Sequence, residues 1–179
     1  MTPLGHMRWA VVLLALMLAS TPGKADGLID EIRLGGLAQN IEPSGHAHEH
    51  GFDLNAEVLF AAPFATSGLF GFRPHLGGTY NFEGTTDKLY AGLTWDVPLQ
   101  GRLFLEGSLG AAIHDGGLTE GDVAQYGCRV NFRESASIGY DLDPHWRVML
   151  MVDHMSNANL CAKNRGLTNA GLRLGYTLN

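Results

Sequence analysis

The chain has 179 residues and carries 12 Lys and Arg against 18 Asp and Glu, a formal net charge of −6 at pH 7. An acidic balance of this kind lacks the basic stripe that nucleic-acid binding requires, so the composition argues for no nucleic-acid partner. The 24 glycines are spread along the chain and disfavour a helical protein.

Residues 1–25 have the pattern of a secretory signal peptide. Arg8 provides a positive charge, residues 9–18 are all apolar, and small residues precede a cleavage site after Ala25. The apolar run is too short to span a bilayer as a helix. We therefore expect export, removal of the signal peptide, and a single domain over residues 26–179.

The rest of the chain alternates between apolar and polar residues with a period of two, which is typical of β-strands with two unlike faces. Eight such segments follow one another, each long enough to cross a membrane as a tilted strand. In chain order the apolar faces contain Ile32 and Leu34; Phe52, Leu54 and Val58; Leu76, Tyr80 and Phe82; Leu89, Leu93 and Trp95; Leu103, Leu105 and Leu109; Ala136, Ile138 and Tyr140; Val148, Leu150 and Val152; and Leu172, Leu174 and Tyr176.

A soluble β-sandwich or a lipocalin-like barrel also alternates, but two features favour a membrane barrel. The polar faces carry charges in nearly every segment, as a lumen filled by side chains would. The connections also tend to alternate between long loops and short turns, the second being a turn of about six residues. The sequence therefore predicts an all-β fold, an eight-stranded antiparallel transmembrane β-barrel preceded by a signal peptide, in the bacterial outer membrane.

One polar pair interrupts an apolar face near the end of the seventh segment. His154 and Ser156 share the face of Val152, and two residues apart on a strand they point the same way. An imidazole beside a hydroxyl can take its proton and make it a nucleophile. The alternative is that the strand has reached the headgroup level, where both side chains are comfortable.

The run His154-Met-Ser156-Asn157-Ala158 resembles the H-x-S-N-A motif of the outer-membrane lipid A 3-O-deacylase (PagL) family, and the similarity extends from residue 102 to the C-terminus. The resemblance implies a serine esterase that removes an ester-linked 3-hydroxyacyl chain from the 3-position of lipid A in lipopolysaccharide. It implies Ser156 as nucleophile, His154 as general base, and the Asn157 side chain and the backbone near Asn164 as oxyanion donors. It implies the outer leaflet as the membrane partner and no metal or cofactor; a homodimer stays open.

The third member of the triad departs from the family, because Thr168 stands where the family has a glutamate. Glu134 has the same outward parity, and a hairpin register in which paired positions sum to about 290 sets it opposite Ser156 and diagonal to His154. We therefore predict Glu134 as the orienting acid. The alternatives are Asp153, which has the parity of the lumen, and a site without an acid, as in a structural or adhesive barrel whose motif is inert.

Two further motifs lie in the predicted loops. The same hairpin brings Cys128 and Cys161 to a similar height, which predicts a disulfide that needs a local distortion because the sum of the positions is odd; free thiols are the alternative. His46, His48 and His50 alternate as metal ligands can, but we interpret them as a solvated loop and expect no metal site.

Overall fold

The computed structural model describes residues 28–41, 49–61 and 71–178. In this part of the chain eight antiparallel strands form a closed barrel, in which each strand pairs with its sequence neighbour and the last pairs with the first. The predicted fold is therefore confirmed. The predicted signal peptide lies outside the described residues and stays a prediction. The strands are β1 (Ile29–Gln39), β2 (Gly51–Phe60), β3 (Arg73–Asn81), β4 (Lys88–Pro98), β5 (Leu103–His114), β6 (Val130–Asp141), β7 (Trp146–Ser156) and β8 (Leu167–Thr177).

Among the residues that the structure describes, no helix is long and apolar enough to cross a bilayer.

The alternation of the sequence becomes an apolar outer wall and a filled lumen. In β5, for example, Leu103, Leu105 and Leu109 are exposed, whereas Glu106 and Ser108 between them are buried. The other strands follow this pattern at most positions, while in β2 the outward Ala56 and Val58 are buried as well, so the outer wall presents the apolar band expected of a membrane barrel.

Aromatic rings cluster at both ends of the barrel wall. Phe52, Tyr80 and Phe82 lie in ring contact at the end that carries loops 40–50, 82–87, 115–129 and 157–166, which we call the loop end. At the opposite end, which we call the turn end, Trp146 contacts Tyr176, with ring centroids 4.8 Å apart. Such girdles mark the two interfaces of a membrane barrel.

The lumen nearer the turn end is filled by paired charges. Arg33 contacts Glu31 at 2.7 Å, Glu57 at 3.0 Å and also Glu106, while Arg173 contacts Glu57 at 3.0 Å and Glu106 at 2.8 Å. All five side chains are essentially inaccessible to solvent. Because an unpaired buried charge is costly, these contacts explain why the polar faces carry charges of both signs.

A second charged cluster lies in the lumen behind the outer end of β7. The Asp153 carboxylate accepts from Lys88 Nζ at 2.7 Å and from Arg133 Nε at 3.1 Å. Met151 and Met155, on the same face of β7, are also fully buried in the lumen. The face of β7 that points into the lumen is therefore fully buried next to the candidate pair.

The register between β6 and β7 differs from the predicted one. Paired positions sum to 288, so Glu134 lies opposite His154, and Phe132, not Glu134, lies opposite Ser156. The prediction that Glu134 faces Ser156 was therefore wrong by two residues along β7.

The turn between β6 and β7 explains the register. The carboxylate of Asp143 accepts hydrogen bonds from the backbone N–H of His145 at 2.7 Å and of Trp146 at 2.8 Å. The backbone N–H groups of Trp146 and His145 hold the pKa of Asp143 below its ordinary value. This side-chain turn centres the hairpin on Pro144, which moves every pair toward the lower sum.

One connection is longer than expected. The link between β2 and β3 covers residues 61–72, whereas a turn of about six residues was predicted. At the turn end the other two links, 99–102 and 142–145, are short as predicted.

Candidate active site

The outer end of β7 presents His154 and Ser156 on the barrel wall. Both side chains are half-buried, while Asp153 and Met155 between and before them are buried in the lumen. Two residues on one face of a strand have Cα atoms roughly 7 Å apart, so their side chains can meet above the residue between them. The structure places the two residues on the same outward face, at the loop end.

Residues next to His154 hold its imidazole from the β8 side. Thr168 is the register partner of His154, and its Oγ1 lies 2.8 Å from Nδ1 of the ring. The ring also covers Gly166: a Cβ built there would overlap Cε1 and lie 3.0 Å from Nε2. From the sequence, Thr168 was noted only as the position where the family's glutamate is absent. The contact between Gly166 and the ring of His154 was not predicted. The sequence feature that could have indicated it is a glycine directly before the eighth strand, at about the height of Ser156 on the seventh.

The two acids considered from the sequence occupy different places. Glu134, on β6, lies opposite His154 and is exposed on the outer wall. Its carboxylate makes no hydrogen bond or ion pair with any residue that the structure describes. Asp153 points into the lumen toward Lys88 and Arg133, so it cannot orient the ring of His154.

The loop after Ser156 is organised by two asparagines. The backbone N–H of Asn157 donates to Oδ1 of Asn164 at 2.7 Å. The side-chain amide of Asn157 is buried and donates to the carbonyls of Tyr126 and Lys163, each at 2.6 Å. Because both of its side-chain hydrogens are directed to carbonyl oxygens, this amide anchors the loop, and the backbone N–H is the Asn157 donor that lies nearest to the serine.

A disulfide joins the two loops that flank the pair. Cys128 and Cys161 are bonded, with Cα atoms 5.8 Å apart. Both lie in loops, 115–129 and 157–166, so the strand ladder needs none of the distortion that the odd sum of positions suggested.

Tyr126 supports the same loops from inside. Its hydroxyl donates to the carboxylate of Glu49 at 2.8 Å. Burial, followed by the neighbouring charge of Glu49, raises the pKa of the Tyr126 phenol, so it stays neutral and acts as a donor. Of the histidine tract, His50 is exposed, and His46 and His48 lie outside the described residues.

Comparison with known proteins identifies the chain's relatives. A model of the lipid A 3-O-deacylase (PagL) family matches residues 46–177. The crystal structure of the outer membrane enzyme PagL is similar to this chain with a TM-score of 0.61 and 17% identity, over 81% of this chain and 97% of that one. The crystal structure of Neisserial surface protein A (NspA) gives a TM-score of 0.56 and 8% identity, over 82% and 95%. A structure from the de novo design of transmembrane β-barrels gives 0.50 and 11%, over 83% and 95%. No curated protein matches the sequence significantly.

The apolar wall, the charged lumen and the similarity in fold to these solved structures place the chain among the small membrane β-barrels. Because the family model covers most of the sequence, the class can be narrowed. The chain belongs to the lipid A 3-O-deacylase (PagL) family, as the H-x-S-N-A motif at His154 predicted.

Proposed function

We propose that the protein is an outer-membrane esterase that hydrolyses the ester-linked 3-hydroxyacyl chain at the 3-position of lipid A, with Ser156 as nucleophile and His154 as general base. The observation that carries the proposal is their position together on the outward face of β7, in a chain of the lipid A deacylase family. The contact between Nδ1 and Thr168 is compatible with these roles: when Nδ1–H is the donor, Nε2 carries the lone pair that can accept a proton.

The reaction follows from this arrangement in two balanced steps. Nε2 takes the hydroxyl proton of Ser156 while Oγ attacks the acyl carbonyl, and collapse of the tetrahedral intermediate breaks the bond between acyl carbon and sugar oxygen. The imidazolium returns its proton to the leaving sugar oxygen. Water then attacks the acyl-enzyme with His154 again as base, which releases the fatty acid and restores Ser156.

The oxyanion formed in each step would be bound by loop 157–166, which carries Asn157 and Asn164. At rest the backbone N–H of Asn157 is covered by Oδ1 of Asn164. Movement of the Asn164 side chain away from this N–H would free it as a donor, and Asn164 Nδ2, which donates to Asn159 Oδ1 at rest, could turn to the same oxyanion as the second donor. Two donors that converge on a developing negative charge commonly provide the largest electrostatic contribution to acyl transfer.

Glu134 is our candidate for stabilising the charge on the imidazolium. It lies directly across from His154, where cross-strand Cβ atoms are about 5 Å apart. An unpaired carboxylate on a wall that faces lipid is costly, so a functional reason for its presence is expected. In the charged intermediate a short side-chain movement would pair it with the ring.

The surface around the pair suits a lipid substrate in the outer leaflet. Exposed apolar side chains on the two neighbouring strands, Phe132 opposite Ser156 and Leu172 opposite Leu150, offer a wall along which acyl chains can lie. Lys163, which pairs with Glu120 at 3.6 Å, and Arg165, which donates to the Val123 carbonyl at 3.1 Å, lie in the loop after Ser156 and are our candidates for meeting the lipid A phosphates. One barrel supplies every residue named, so the proposal needs no second chain; a homodimer stays a prediction.

The test compares two serine-to-alanine variants in folded barrels incubated with lipid A. Ser156→Ala should abolish the mass loss that corresponds to one 3-hydroxyacyl chain, while heat-modifiable migration on gels shows that the barrel is intact. Ser137→Ala is the matched control, because that hydroxyl is buried in the lumen on β6 and has no hydrogen-bond partner among the described residues. Absence of the mass loss with wild type would refute the substrate, and wild-type activity of Ser156→Ala would refute the serine mechanism.

Glu134→Gln tests the charge-stabilising role in the same assay. The variant keeps the shape of the side chain and removes its charge, so we expect a lower kcat with an intact barrel. Activity at the wild-type level would exclude Glu134 from the mechanism.

A further inference from the structure

The imidazole of His154 has one hydrogen-bond partner in the described structure, and it is a hydroxyl. Thr168 faces His154 in the β7–β8 register, and Oγ1 lies 2.8 Å from Nδ1. The contact is local and outward-facing, on the same side of the wall as Ser156. It therefore acts on the nitrogen opposite to the one that must accept the serine proton.

The glycine beside this contact determines where the rest of the ring can go. A Cβ at position 166 would overlap Cε1 and lie 3.0 Å from Nε2, so the ring occupies the space that any other residue would fill. Met155 pairs with Leu167, and one further step of the same register brings Gly166 level with Ser156. The edge of the ring formed by Cε1 and Nε2 therefore lies beside Gly166, at the loop end of β7 and β8.

We infer that Thr168 and Gly166 are positioning residues for His154, the first by accepting a hydrogen bond from Nδ1–H and the second by leaving room for the ring. The inference rests on the proposed function. In a triad, a carboxylate orients the histidine by selecting the tautomer with its lone pair on Nε2. The inference assigns this orienting role to the Thr168 hydroxyl. A hydroxyl carries no charge, so it orients the ring without stabilising the imidazolium.

Substitutions at Thr168 can distinguish orientation of the His154 ring from stabilisation of its positive charge. Thr168→Val keeps the shape and removes the acceptor, so we expect kcat to fall about tenfold with KM unchanged. Thr168→Ser should restore activity to near the wild-type level. Thr168→Glu should raise kcat and move the acidic limb of the pH–rate profile to higher pH, because a carboxylate favours the protonated ring.

Gly166→Ala tests the space for the ring. The new Cβ would displace the base by a large fraction of an ångström or more, and misplacement on that scale costs about hundredfold in rate. Gly71→Ala is the matched control, because no atom of the residues that the structure describes lies within 4 Å of a Cβ at that position. Both barrels should show wild-type heat-modifiable migration.

A spectroscopic measurement makes the test independent of turnover. In the Ser156→Ala barrel with ¹⁵N-labelled histidine, the shifts of His154 should show Nδ1–H with threonine at 168 and a tautomer mixture with valine. This inference would be overturned if Thr168→Val and Gly166→Ala both kept the wild-type kcat, pH profile and tautomer while Ser156→Ala was inactive. The proposed function would still stand in that case. An inactive wild type, or an active Ser156→Ala, would overturn both.

Discussion

Removal of the disulfide is expected to weaken the site loops more than the barrel wall. The perturbation is the double substitution Cys128→Ser with Cys161→Ser. The two cysteines are 33 positions apart. In the chain-entropy model a closed loop of that size stabilises the folded state by ~4 kcal/mol at 25 °C, because it restricts the unfolded chain.

Each contact that remains between the two loops is weaker than the bond removed. Asn157 donates to the Tyr126 carbonyl, and the backbone N–H of Arg165 donates to the Gln125 carbonyl at 3.1 Å. Hydrogen bonds of this kind contribute about 1 kcal/mol each. Because the cysteine at 161 follows Ser156 by five positions, we expect the loss to lower kcat as well as stability.

The assay is a urea titration of barrels refolded into lipid vesicles, followed by tryptophan fluorescence and by deacylation at low urea. Ala162→Ser, a change at an exposed neighbouring position, is the control. The reasoning is refuted if the free energy of unfolding of the double variant lies within about 0.5 kcal/mol of the wild-type value and its kcat is unchanged.

Two further predictions concern charges away from the site. Asp153→Asn should destabilise the barrel by about 3–5 kcal/mol, measured by urea titration, because it leaves Lys88 and Arg133 buried without an anion; equal stability would mean that these cations are compensated elsewhere. The pKa of Asp143 is lowered on folding by the backbone N–H groups of Trp146 and His145, so its contribution is present above the unfolded pKa of about 4 and is lost as pH falls through the folded value. The stability difference between wild type and Asp143→Ala should therefore narrow in acid, and a difference independent of pH would contradict this assignment.

The barrel was predictable because its physical requirement repeats in every strand. Each strand must place apolar side chains outward and polar ones inward, and residues such as Leu105 beside Glu106 carry that requirement in the sequence itself. The long connection at 61–72 was not predictable in this way, since loop length is not constrained by the alternation.

The site could be predicted only in part, for a reason of register. The outward parity of His154, Ser156 and Glu134 follows from each strand alone. Which residue faces which depends on the turn, and the side-chain bonds of Asp143 shifted the β6–β7 pairing from the expected sum to 288. The closeness of Gly166 to the ring depends on three-dimensional packing that a period-two pattern does not encode.

The outward orientation of the His154–Ser156 pair also sets how a substrate arrives. A lipid anchored in the same leaflet reaches the wall by lateral diffusion and never has to dissolve in water. Turnover would then depend on the mole fraction of substrate among neighbouring lipids, and diluting it with inert lipid would slow the reaction at constant bulk concentration. The membrane itself thus acts as the reaction medium, and its composition becomes a kinetic variable.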